Sequence, residues 1–158
     1  MVSQAFSLED QPAQNAPTSV CVLVGLFIAP FIVASTIFCF GPASQTQGAL
    51  SVLFAYSTAM LGYMGGVRAG IEVERANPRF SHLALSVIAP MVGFGLLLAQ
   101  NRIPADWRLG GFLITIVLQW LWDTHNHEGP VWRPRLRTFL TVGAGVPLAF
   151  ALEQALHL

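Results

Sequence analysis

"VCVLVGLFIAPFIVASTIFCF", residues 20–40, contains no charged side chain. A helix needs about 20 apolar residues to cross the ~30 Å hydrocarbon core of a bilayer, so this run by itself directs the chain into a membrane. Two more runs repeat the pattern, "GALSVLFAYSTAMLGYMGGV" (48–67) and "SHLALSVIAPMVGFGLLLA" (81–99). A fourth, "LGGFLITIVLQWLW" (109–122), has a shorter apolar stretch. It reaches full length, 104–122, if its helix begins at Pro104, a favoured first-turn residue, with Arg108 snorkelling outward. Trp107, Trp120 and Trp122 then mark its two ends as an aromatic belt. A fifth run covers about 136–156, with Glu153 and His157 near its exit. The expectation is an all-α membrane protein, a compact bundle of five transmembrane helices over residues 20–158. A polar tail over 1–19, expected to be flexible, precedes it.

Composition agrees with that class. Hydrophobic residues make up 54% of the 158 and charged residues 10%, against about 25% charged in a soluble domain. A soluble fold of this size could not bury so much apolar surface. The formal net charge is zero, from eight arginines, no lysine and eight acids. That balance gives no electrostatic footprint for nucleic acid, and the first partner is the lipid bilayer. Cys21 and Cys39 lie roughly 27 Å apart along one helix, too far to bond to each other, and read as small hydrophobes. The tail carries Glu9 and Asp10 but no Lys or Arg, so it fits neither a secretory signal nor a mitochondrial presequence.

Five spans put the termini on opposite sides. Arg68, Arg75, Arg79, Arg133, Arg135 and Arg137 share the side of the tail, and Arg102 and Arg108 fall on the other. Positively charged loops stay on the cytoplasmic side, so the N-terminus is expected in the cytoplasm and the C-terminus opposite. The location follows as a multi-pass inner (cytoplasmic) membrane protein, or the mitochondrial inner membrane in a eukaryote.

The second span ends on "GYMGGVRAG" (62–70), which combines glycines with an arginine. Ala55, Ala59, Gly62, Gly66 and Gly70, with Ser51 before them, follow helical steps of three and four. They form a stripe of small residues of the kind that admits a neighbouring helix at close range in lipid. Arg68 has two readings, a snorkelling anchor at headgroup level or an inward-turned anion site. The helix is expected to run on to 76 as "RAGIEVER", with Glu72 and Arg75 paired, until Asn77-Pro78 ends it.

Pro30, Pro90 and Pro147 each fall near the middle of a span, where each frees a backbone carbonyl. "WLWDTHNHEGPVW" (120–132) gathers Asp123, His125, His127 and Glu128. Alternate residues meet on one ion only in an extended strand, so a solvated loop without metal is expected. No phosphate loop, dinucleotide fingerprint, nucleophile elbow or paired-carboxylate motif is present, so neither an enzyme nor a cofactor is expected.

Three blocks together resemble a family of small multi-span proteins of bacteria and mitochondria. It is classed as a domain of unknown function and includes the mitochondrial transmembrane protein sixty-nine. "GLFIAPF" carries Gly25, Pro30 and Phe31 of its first span. "YSTAMLGYMGGVRAG" supplies Tyr56, Gly65, Gly66, Arg68 and Gly70, with Ala69 where the family pattern has tryptophan. Asp123 closes span four, and "PVWRPRLRTFLT" then carries Pro130, Trp132, Leu136, Arg137, Leu140 and Thr141. The resemblance spans roughly 20–152 and implies a polytopic inner-membrane protein without assigning an activity. The functional expectation is an accessory, assembly or scaffolding component of a membrane complex, joined to a partner membrane protein or to copies of itself. The alternative is a small transporter or channel with an anion site near Arg68.

Overall fold

A computed structural model describes residues 18–125 and 132–157, apart from the side chains of Trp132 and Arg133. The tail expected over 1–19 lies outside the described residues up to position 17. Five α-helices follow one another: α1 Thr18–Phe40, α2 Ala43–Val73, α3 Phe80–Leu98, α4 Ala105–His125 and α5 Trp132–Leu156. A 3-10 turn, Ala99–Asn101, finishes α3, and there is no strand among the described residues.

Four of the five, α1, α2, α3 and α5, are long and apolar enough to cross a membrane. Helix α4 is not in that set, although its 21 residues would span roughly 31 Å. Asp106, Arg108, Gln119 and Asp123 lower its apolarity, and three of these four are buried inside the bundle. Helix α2 is the longest, with 31 residues. It starts earlier than the hydropathy suggests because Pro42 stands in extended conformation at its N-cap. It stops at Val73 rather than 76, where the Glu74 N–H donates to the Gly70 carbonyl.

The helices close into a ring in chain order, α1 against α2, α2 against α3, α3 against α4, α4 against α5, and α5 against α1. Helix α2 also reaches α4 across the centre. Core side chains Phe31, Leu53, Phe54, Leu61, Met64, Phe112, Ile116 and Leu148 fill the interior. Phe54 and Phe112 stack there, 5.8 Å between centroids. Outside, every helix presents large apolar side chains, among them Leu26, Ile88, Ile114, Phe139 and Phe150. Water would not tolerate so continuous an apolar exterior, whereas lipid does.

Backbones approach most closely between α2 and α3. Pro90 has no N–H, so the Ser86 carbonyl four residues earlier lacks its helical donor. Gly65 of α2 lies directly against that carbonyl: a Cβ there would overlap the Ser86 oxygen and stand 2.8 Å from Pro90 Cγ. Two turns further along, Thr58 Oγ1 donates to the Phe54 carbonyl of its own helix at 2.9 Å and shares that hydrogen with the Gly93 carbonyl at 3.3 Å, and a Cβ at Gly93 would sit 2.8 Å from Leu61. On the opposite flank Ser35 Oγ donates to the Pro147 carbonyl at 2.8 Å, joining α1 to α5. The carbonyls beside Pro90 and Pro147 are thus seated on small or hydroxylated neighbours.

Candidate functional site: a buried ionic cluster at one end of the bundle

The end of α2, the starts of α3 and α5 and the end of α4 meet at one pole of the ring. Arg68 and Glu72 are one turn apart, on the face of α2 that also buries Ser57, Leu61 and Met64. The arginine is therefore turned inward, 7% exposed. Of the two readings of Arg68, the anchor reaching out to headgroups is the one this geometry does not support.

Two carboxylates organise the pole. Asp123, the last buried residue of α4, forms an ion pair with Arg137 of α5 and lies 3.9 Å from Arg68 of α2. Its side chain is 1% exposed. Glu72, equally buried, sits 3.1 Å from Arg75 and 3.8 Å from Arg79, and it accepts the Arg79 backbone N–H at 2.9 Å. The His82 ring lies 3.7 Å from the same carboxylate and contacts the Trp122 ring edge-on at 5.8 Å. Glu72 thus folds the 74–79 turn back over the bundle, while Asp123 ties α2, α4 and α5 together. Burying a charge is tolerable only when it is paired and hydrogen-bonded, and each carboxylate here has more than one cationic neighbour.

Gln119 and Thr141 lie one turn from this pair, on α4 and α5 respectively, and both are buried. The Gln119 Nε2 and Thr141 Oγ1 atoms have no hydrogen-bond partner among the described residues. The polar column therefore continues toward the membrane interior from the ionic pole.

The other expected residues fall elsewhere. Tyr56, 37% exposed, packs edge-on against Phe27 and Phe31 of α1. Trp132 begins α5, and its side chain is outside the description. Ala55, Ala59, Gly62, Gly66 and Gly70 line the exposed face of α2, and a Cβ at Gly62, Gly66 or Gly70 would meet nothing within 4 Å. Among the described residues no helix lies in that stripe; the α2 glycine used for close packing inside the bundle is Gly65. His125 is exposed at the end of α4, while His127, Glu128 and Pro130 are outside the described residues. Among the described residues no three His, Cys, Asp or Glu side chains group closely enough to hold a metal ion.

The sequence placed Glu72 on a helix extension paired with Arg75, and that pair forms, but the burial of Glu72 and its contacts with Arg79 and His82 were not foreseen. The available signal was phase, because Ser57, Leu61, Met64, Arg68 and Glu72 keep one helical face. Arg108, expected to snorkel outward, is instead buried, 6% exposed, with its Nε donating to the Leu96 carbonyl at 2.9 Å.

A family model described as a protein of unknown function (DUF3429) matches residues 16–153, most of the chain, as the sequence motifs implied. No curated protein and no solved structure matches it.

Proposed function

The chain belongs to the DUF3429 family, and on that premise we propose that it is an accessory, assembly or scaffolding component of a larger inner-membrane complex. The observation that carries this reading is the outward stripe of Ala55, Ala59, Gly62, Gly66 and Gly70. Small residues on a lipid-facing helix leave a shallow channel where a foreign backbone can approach closely, and such approach drives helix association in lipid. Internal packing does not explain the stripe, since α2 meets α3 through Gly65 and Thr58 and meets α1 through Tyr56 and Tyr63. The partner is a membrane protein supplying a helix, with a second copy of the chain as the other occupant.

Gly66→Leu tests this directly. The fold is expected to survive, because the new side chain projects into open space. Comigration of the tagged protein with its partner on a native gel should be lost, or reduced at least tenfold. Wild-type protein that migrates alone, or a variant that keeps its partner, would overturn the reading.

In the same proposal α4 crosses as a fifth span between α3 and α5. Ile114, Leu118 and Leu121 give it an exposed apolar face to set against lipid. The N-terminus then lies in the cytoplasm, supported by the arginine bias of its side. A fluorescent or phosphatase reporter fused after Leu158 should report the opposite compartment, and a cytoplasmic signal would exclude five spans in this orientation.

The alternative, a transporter with an anion site at Arg68, draws less support. Asp123 already neutralises that guanidinium at close range, so an incoming anion would have to displace a buried carboxylate.

A further inference from the structure

The opposite pole holds a buried arginine in different circumstances. Arg108 lies in the first turn of α4. Its Nε and Nη2 donate to the Leu96 and Leu97 carbonyls at 2.9 and 3.4 Å, and its Cζ lies 3.8 Å over the centre of the Phe54 ring. Arg68 and Arg137 share a carboxylate, whereas among the described residues no carboxylate pairs with Arg108. The α3 carbonyls offset part of its charge, yet a guanidinium has five N–H donors and these contacts engage two nitrogens.

Arg108 lines an open cavity of about 410 Å³ between the start of α2, the end of α3 and the start of α4. Gln47, Gln100 and Asn101 line it too, and their side-chain amides make no hydrogen bond among the described residues. The Ser51 hydroxyl on the same wall donates to the Gln47 carbonyl at 2.9 Å. Among the described residues no acidic side chain lines the cavity. Pro104 and Ala105 do, which brings the start of α4 to its edge. The backbone N–H groups of residues 105–107 precede the first helical bond, Arg108 N to Pro104 O. Asp106 stands in that same first turn and offsets part of the positive end of the helix, so Arg108 carries the charge of the site. Leu50, Leu97 and Ile103 form an apolar rim. Trp107, one residue before Arg108, is 73% exposed, as headgroup-level tryptophans are.

We propose that this cavity binds a phosphate group, with Arg108 as its charged partner and the Gln47, Gln100 and Asn101 amides as neutral donors. Donors converging from three elements suit a tetrahedral anion with several acceptor oxygens, and the Arg fork matches phosphate geometry. The phosphate arrives either on a phospholipid headgroup, with the rim receiving the first acyl carbons, or free in solution. The inference does not depend on the α2 stripe from Ala55 to Gly70, none of whose residues lines the cavity.

Full-length protein, delipidated in an uncharged maltoside detergent, provides the test by thermal unfolding. It is titrated separately with inorganic phosphate, with a short-chain phosphatidylglycerol, and with the diacylglycerol of the same chain length. Saturable stabilisation by the phospholipid but not the diacylglycerol identifies a headgroup site. Stabilisation by inorganic phosphate that competes with the lipid identifies a site open to the free anion. Arg108→Gln should weaken either at least tenfold. Because Arg108 also holds the end of α3, the second variant is Asn101→Asp, which adds a carboxylate to the exposed wall and leaves the arginine contacts intact. It should weaken binding as much while unfolding at the wild-type temperature without ligand. Equal stabilisation by the diacylglycerol, no shift with either phosphate probe, or wild-type affinity in Asn101→Asp would each overturn the proposal.

Discussion

Asp123→Ala is expected to destabilise the bundle by about 3–5 kcal/mol, the cost of leaving buried charge uncompensated. The carboxylate is 1% exposed and serves Arg68 and Arg137 from two other helices. Removing it leaves two guanidiniums facing each other at the pole with their common anion gone. Both arginines are largely buried, with side-chain exposures of 9% and 16%, so solvent screening offers little relief. Unfolding in mixed micelles, titrated with an ionic detergent, measures the loss. Asp123→Asn should fall between wild type and alanine, since the amide keeps an acceptor but loses the charge. The double variant Asp123→Leu/Arg137→Leu should recover part of the stability, because it removes one of the two buried guanidiniums and leaves only Arg68 uncompensated. A single alanine variant within about 0.5 kcal/mol of wild type, the usual range for an uncritical surface change, would show that the cluster does not hold the helices together.

The second large effect concerns one methyl group. Gly65→Ala is expected to destabilise by about 1–3 kcal/mol, the range for overpacking a filled interior, and Gly65→Val by more. The obstacle is backbone and a proline ring: the Cβ would meet the Ser86 carbonyl and Pro90 Cγ, neither of which can rotate away. Relief requires α2 and α3 to separate, which would also stretch the Thr58–Gly93 hydrogen bond. The neighbouring Gly66→Ala provides the control, with no atom within 4 Å of its Cβ and an expected change between neutral and a stabilisation of about 1 kcal/mol, alanine being the better helix former. Equal responses at the two glycines in the same unfolding assay would contradict the packing of α2 described above.

Comparison of these two glycines shows how far the sequence could be read. Ala55, Ala59, Gly62, Gly66 and Gly70 form a regular stripe, and regularity pointed to a packing groove. The structure puts that groove on the outside and uses Gly65, which belongs to the phase of Leu61, Arg68 and Glu72. Gly65's face and the stripe lie about a third of a turn apart on α2, and spacing by itself does not say which faces inward. The same ambiguity concealed Glu72, whose position after an apolar run suggested a wet helix extension. It is buried because the 74–79 turn folds back upon it. Arg108 was misread for a related reason: at a helix start an arginine can reach water, and only the proximity of the α3 carbonyls and Phe54 gives it a better alternative.

Length and apolarity along the chain determined the helices, the membrane setting and the family, because transfer into lipid sums over the residues of one segment and short motifs are local. The phase of each helix was decided only by the tertiary structure. In water an apolar face identifies the inside. In lipid the outside is apolar as well, so α1 and α2 carry no strong asymmetry along their sequences. What then orients a helix is contact between segments far apart in the chain: a glycine against a carbonyl freed by proline, and one aspartate shared by arginines of two other helices.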